Sequence, residues 1–136
     1  MPKKRVLVVD DSPIVRSMVR RLFETETNCE IAGEAENGCD AIAKATKIKP
    51  DLIILDLSMP LLGGLDAAPL LRKILPETRI ILFTEHHGRE VERLAFAAGI
   101  QAVVSKDQAM SQLIPQAKAL LSIEREYRLP QLRNAS

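Results

Sequence analysis

The chain has 136 residues, 46% of them hydrophobic, with one Tyr, three Phe and no Trp; that is one domain with an aliphatic core. A formal net charge of +1 leaves no overall field to draw it to nucleic acid or to a membrane. "PKKR" ahead of four apolar residues is too short for a signal peptide, and no apolar run approaches the ~18 residues of a membrane helix. A soluble cytoplasmic protein is expected, with no membrane and no direct nucleic-acid contact. Cys29 and Cys39 have no metal-ligand spacing and are expected as buried free thiols.

Short apolar runs then alternate with helical patterns five times. "RVLVV" at 5 to 9 is a β-branched run, a buried strand. Ser12-Pro13 reads as a helix start, with Ser12 as N-cap and Pro13 in the first helical position. Ile14, Val15, Met18, Val19, Leu22 and Phe23 follow at helical spacing. "CEIAGEAE" alternates, as an edge strand does. Asn37-Gly38 turns the chain, and Ala41, Ile42 and Ala45 mark a second helix that stops before Pro50. "LIIL" is the third strand. Gly63-Gly64 closes a loop, and Leu70, Leu71 and Ile74 mark a third helix, in which Pro69 is tolerated if Asp66 is the cap and Pro69 sits in the first turn. "RIILF" is the fourth strand. Val91, Leu94, Ala95 and Ala98 form the buried side of a fourth helix, with Gly99 at its C-terminal cap. "AVV" at 102 to 104 is the fifth strand, and Leu113, Ile114, Ala117, Leu120 and Leu121 finish with a fifth helix. Pro115 predicts that this helix starts late or kinks.

Five βα units imply an α/β domain, a parallel sheet with helices on both faces. The two common strand orders, Rossmann-like and flavodoxin-like, both bind ligands beyond the carboxyl ends of the strands. The strand ends are therefore where chemistry is expected, and they are unusual. Asp10 and Asp11 end the first strand and Asp56 ends the third, although a buried strand has no use for a carboxylate at its tip. In the flavodoxin-like order those strands are neighbours, ~4.8 Å apart, and three carboxylates meet at one edge. Such crowding raises carboxylate pKa values unless a cation relieves it, and hard oxygen ligands suit Mg²⁺. The fourth strand ends at Thr84 and the fifth leads into Ser105-Lys106, so the same edge gains a hydroxyl and an ammonium. Acid cluster, hydroxyl and lysine describe a phosphoryl site with a metal. A bound phosphate ligand and a phosphorylated aspartate both fit. Each residue alone has a plain structural use: Asp11 at a helix start, Thr84 bonded to backbone, Lys106 solvated. The joint pattern is what points to chemistry.

Asp10-Asp11, Asp56, Thr84 and Lys106, each at its own strand end, resemble the receiver domain of bacterial two-component response regulators. The loop "DLSMPLLGGLDA" resembles receivers that precede a helix-turn-helix output domain. The resemblance runs over residues 4–123 and leaves 124–136 as a short C-terminal tail or the start of a linker. It implies a flavodoxin-like doubly wound five-stranded sheet in the order 2-1-3-4-5 with five helices. It also implies that Asp56 is the phosphoacceptor and that Asp10, Asp11, Asp56 and the backbone carbonyl of Ser58 hold Mg²⁺. Lys106 would pair with the phosphoryl oxygens, and Thr84 would hydrogen-bond the phosphoryl group and swing inward. The donor implied is a sensor histidine kinase or a phosphotransfer protein. The chain itself would be no enzyme beyond self-phosphorylation and autodephosphorylation. A homodimer or partner face on the fourth helix, fifth strand and fifth helix is implied as well. The alternative function is a phosphorylation-independent receiver-like scaffold or binding module.

Rival classes fit less well. A flavodoxin cradles a phosphate in its first loop, where the acidic Asp10-Asp11-Ser12-Pro13 would repel one. A haloacid-dehalogenase-type phosphatase needs an acid two residues after its nucleophile, and Ser58 stands there. No Gly-rich loop with lysine is present for a Walker-type nucleotidase. Two departures from the receiver pattern bear on switching. Val104 stands two before the lysine, where the family usually has an aromatic ring whose rotation is coupled to the threonine. Glu85 follows Thr84 where a small residue is usual, adding an acid that either opposes an incoming phosphoryl group or engages Lys106. Beyond Ile123 too little chain remains for a helix-turn-helix, whose two helices need ~10–14 residues each, so a stand-alone receiver and a shortened longer regulator both remain open.

Overall fold

In a computed structural model, residues 2–135 are described, with side chains described for 2–122. Five parallel strands form one sheet: β1 (Arg5–Val9), β2 (Glu30–Ala35), β3 (Leu52–Leu55), β4 (Arg79–Thr84) and β5 (Ala102–Ser105), in the order β2-β1-β3-β4-β5. The helices are α1 (Pro13–Glu26), α2 (Gly38–Ile48), α3 (Gly64–Ile74), α4 (Arg89–Ala97) and α5 (Ala109–Ala135), with a 3-10 turn at Lys106–Gln108 before the last. The flavodoxin-like order expected from the sequence is the one observed.

The alternation of each strand sorts the core into two layers, because successive side chains leave a strand on opposite faces. Val6, Val8, Leu52, Ile54, Ile81, Phe83 and Val104 pack with Val19, Leu22 and Phe23 of α1 and Leu113, Ile114 and Ala117 of α5. Leu7, Val9, Ile53, Leu55, Ile80 and Leu82 face the other way, onto Ala41 and Ala45 of α2, Ala67, Ala68 and Leu71 of α3, and Ala95 of α4. Alanines dominate that second face and bring the helices close to the sheet. β1, β3 and β4 are buried nearly throughout, as two-sided strands must be, whereas edge strand β2 is mostly half-buried.

The helix starts decide where the site residues stand. Ser12 caps α1 as the sequence predicts, accepting from the Val15 amide at 3.2 Å with Pro13 in the first turn. Asn37 caps α2 through the Asp40 amide, so Asn37-Gly38 is a helix entry as well as a turn. α3 departs from expectation. It begins at Gly64 with Gly63 as its cap, so Asp66 lies inside the first turn and Pro69 inside the helix beyond it. The cause is close approach: the Gly64 amide donates to the Leu57 carbonyl at 2.9 Å, and a Cβ at Gly64 would stand 2.1 Å from the Asp56 carbonyl oxygen. Pro69 is exposed, so the carbonyl its missing N–H leaves unpaired can turn to water.

Other expectations need correction. α5 begins at Ala109, not late, and carries the exposed Pro115 within its second turn. Its backbone is helical to Ala135, which leaves the reading of 124–136 as a tail or the start of a linker where it stood, and Ser136 lies outside the described residues. Ile14 is 82% exposed and Leu94 38%. Ile14 stands in the first turn of α1, at the rim of the sheet, and α4 buries only Ala95. Both cysteines are free thiols, but Cys29 is half-buried and Cys39 exposed. Gly99, at φ 90°, does follow the end of α4. Among the described residues no helix is long and apolar enough to cross a membrane.

Candidate functional site

Asp10 leaves β1 on a short leash. Its amide donates to the Ala35 carbonyl at 3.0 Å, continuing the ladder to β2. Its Oδ1 accepts from the Ser12 amide at 2.9 Å. Next door, the Asp56 amide donates to the Val9 carbonyl at 2.9 Å, so the acid at the end of β3 is registered on β1. The sheet order thus brings together the three acids that the sequence separates. Oxygens of Asp10, Asp11 and Asp56 lie within 4.8 Å of one another. Asp10 and Asp56 are buried and Asp11 is exposed, so the cluster opens to solvent on one side.

Lys106 closes the other side. Its Nζ lies 2.7 Å from Asp10 Oδ2 and 3.2 Å from Asp56 Oδ1, with 14% of the side chain exposed. The same ammonium stands 5.9 Å from the centre of the Phe83 ring, within the range of cation–π attraction. Thr84, fully buried, ends β4 opposite Ser105 of β5, and its Oγ1 accepts from the His86 amide at 3.0 Å. The hydroxyl therefore also shapes the loop after β4. Every site side chain that the sequence singled out lies at this edge. Ser58 is placed in the loop after Asp56 and is exposed. Glu85 and the neighbouring His86 and His87 are exposed too. Lys106 is engaged by Asp10 and Asp56, not by Glu85. Val104 is fully buried.

The electrostatics follow from this crowding. Burial, then the charge of Asp10, raise the pKa of Asp56 against the opposing pull of Lys106. For Lys106, burial lowers the pKa, but the hydrogen bond and charge of Asp10, with those of Asp56, outweigh it and the pKa is raised. Lys106 stays an ammonium at neutral pH. One carboxylate oxygen, Asp10 Oδ2, is buried, and Lys106 Nζ at 2.7 Å is its one cationic partner among the described residues. A buried anionic oxygen with a lone pair to spare, beside two more carboxylates, is a donor set for a hard divalent cation. The residues present therefore fit Mg²⁺.

Sequence reasoning missed two contributors. Phe83 looked like core, which it also is; only its place under Lys106 adds a role. Arg16 was not singled out, and no pattern in a single sequence marks it; its Nη1 donates to the Asp10 carbonyl at 2.7 Å.

The comparisons with known proteins agree with this geometry. The model of the response regulator receiver domain family matches residues 6–118. The chemotaxis protein CheY of Thermotoga maritima is 34% identical over 111 residues, which cover 82% of this chain and 92% of that protein. The response regulator protein VraR of Staphylococcus aureus is 37% identical over 103 residues, 75% of this chain and 49% of that protein. A crystal structure of a LuxR-family two-component response regulator from Aurantimonas superposes with a TM-score of 0.84 at 32% identity, covering 89% of this chain and 86% of that one. The chain spans about half the length of several transcriptional-regulator relatives that it matches, 56%, 58% and 51% of three of them. Matched family, strand order and acid cluster together place this chain in the response regulator receiver domain family of two-component signalling.

Proposed function

We propose that this domain is a phosphorylation switch whose acceptor is Asp56, and that it regulates an output domain or a partner protein. The observation that carries the reading is the ammonium of Lys106 held between Asp10 and Asp56 at the edge where three carboxylates converge. Receiver domains of response regulators take their phosphoryl group from histidine kinases, so a sensor kinase, a phosphotransfer protein or a small phosphodonor is the proposed source. The relatives that carry this domain within transcriptional regulators support a longer regulator, with DNA contact made outside the described domain. A homodimer through α4, β5 and α5 is proposed on the family resemblance alone.

Asp10, Asp11 and Asp56, with the Ser58 carbonyl, would hold Mg²⁺. Bound there, Mg²⁺ would neutralise charge on the phosphoryl oxygens. Asp56 Oδ1 already faces Lys106, which leaves Oδ2 as the nucleophile. Oδ2 attacks phosphorus in line, the new O–P bond forms as the donor's bond to phosphorus breaks, and the donor leaves with that electron pair. In-line transfer of this kind needs positioning and charge neutralisation more than covalent assistance. Lys106 stays protonated and follows the developing charge from the carboxylate to a phosphoryl oxygen. Thr84, whose Oγ1 accepts from the His86 amide, keeps its hydroxyl proton free and swings inward to donate it to another.

Incubation with Mg²⁺ and acetyl phosphate is expected to add one phosphoryl group, read as intact mass, and Asp56→Asn is expected to remain unmodified. An adduct that survives in Asp56→Asn, or none on the wild type at any Mg²⁺ concentration, would overturn the assignment in favour of a scaffold that works without phosphorylation.

A further inference from the structure

The peptide that joins the two acids of β1 is gripped from α1. Arg16 stands one turn into that helix, half-buried, with its side chain folded back toward the strand end. Its Nη1 donates to the Asp10 backbone carbonyl at 2.7 Å, and its Nε donates to Glu34 Oε1 at 2.9 Å. Glu34, on edge strand β2, also accepts from Nε and Nη2 of Arg20 at 3.0 and 2.7 Å. Burial raises the Glu34 pKa, but its bonds from Arg20 and Arg16 outweigh that and hold it low. Arg16 is therefore anchored by a carboxylate that is itself fixed, and its planar fork can serve two acceptors at once.

Asp10 is thus held at three points: its amide by Ala35, its Oδ1 by the Ser12 amide, and its carbonyl by Arg16. The first two restrain the residue and its side chain. The second also spans the Asp10–Asp11 peptide, as an Asx turn, but only the third grips that peptide's own carbonyl from outside the loop. The plane of that peptide sets where Asp11 leaves the backbone, and Asp11 is the exposed member of the acid cluster, with no burial to hold it.

We infer that Arg16, anchored by Glu34, is a positioning residue that aims Asp10 and Asp11 at the cation site. It touches neither the cation nor the phosphoryl group. The inference rests on the proposed Mg²⁺ site. Removing an outer partner that orients a metal ligand typically costs ~10–100-fold in affinity.

Charge alone makes the opposite prediction. A guanidinium near a divalent cation repels it, so Arg16→Ala would tighten Mg²⁺ binding if Arg16 acted only through its field. Positioning predicts that it weakens binding. The experiment is a Mg²⁺ titration of the unphosphorylated domain by calorimetry, with melting temperature recorded in parallel, on wild type, Arg16→Ala, Arg16→Lys and Arg20→Ala. Arg20→Ala is the stability control, because it removes the other ion pair of Glu34 and leaves the bonds of Arg16 to Glu34 and to the Asp10 carbonyl in place. We expect the Mg²⁺ Kd to rise about tenfold in Arg16→Ala, to recover in part in Arg16→Lys, and to stay within about twofold of wild type in Arg20→Ala even where melting falls. Unchanged or tighter binding in Arg16→Ala overturns the inference and leaves the Mg²⁺ site standing. Equal weakening in Arg20→Ala overturns it too, since general loosening of α1 against β2 would then be the cause. A wild type that binds no Mg²⁺ removes both the site and the inference.

Discussion

Asp56 carries two burdens that act on its proton in the same direction, burial and the charge of Asp10, and Lys106 only partly offsets them. A carboxyl whose folded pKa exceeds its unfolded value holds a proton better when folded. Its cost to stability is absent below the unfolded pKa, grows as pH rises from there, and is complete only above the folded pKa. Asp56→Asn is therefore expected to melt above wild type at neutral pH in chelator, by a few degrees if ~1 kcal/mol is recovered. The gap should close as pH falls toward the ordinary carboxylate range, and calorimetry across pH checks both. A variant melting at or below wild type at neutral pH would show that the ion pair with Lys106 outweighs the crowding. At this scale the acids were legible in the sequence because a carboxylate ending an apolar run contradicts its surroundings. Arg16 contradicts nothing: an arginine on an amphipathic helix reads as a solvated charge, and only the fold shows that its fork reaches back to the strand end.

Among the elements, the loop between β3 and α3 is the least relaxed. The Leu62 amide donates to the Pro60 carbonyl at 2.8 Å, closing a three-residue turn on Leu61, whose φ is 70°. A leucine there sets Cβ against its own backbone, at roughly 1–2 kcal/mol. Leu61 is 82% exposed, so packing returns nothing for the strain. Leu61→Gly is expected to stabilise the domain by roughly 0.5–1 kcal/mol, the relief less the greater freedom of glycine in the unfolded chain. Urea unfolding measures it, and a less stable glycine variant would mean that Leu61 is supported by contacts its exposure does not reveal. The sequence marked this stretch as a loop through its proline and glycines, but nothing in it says which residue takes the positive φ. The start of α3 was hidden for a related reason. Gly63 offers no capping side chain, and the need for Gly64 beside the Asp56 carbonyl is visible only once β3 and α3 are in place.

Over the whole molecule, the two layers of core constrain how a signal at Asp56 can spread. Val104 lies inside the layer shared with α1 and α5, beside Phe83 in the β4–β5 register, and has no ring to rotate. Thr84, by contrast, already holds the loop after β4 through the His86 amide. Beryllofluoride with Mg²⁺ is therefore expected to slow amide exchange in residues 57–63 and 85–88 and to leave α5 nearly unchanged. Strong, selective change along α5 would show that the signal crosses the core without an aromatic switch. The topology itself was legible, because five alternating units joined by right-handed crossovers leave few arrangements, and the acid at two strand tips favoured the one that makes β1 and β3 neighbours. The extent of α5 was not, since Pro115 argues for a break that the exposed side of a helix can absorb. The crowded carboxylates have a practical consequence. Any species that settles among them and binds only the folded state raises the midpoint of unfolding in proportion to the logarithm of its concentration over its Kd. The chain has no tryptophan to serve as an optical reporter, yet it carries its own thermometer: heat resistance gauges how full the site is, and unlabelled donors, ions and mimics can be ranked by melting alone.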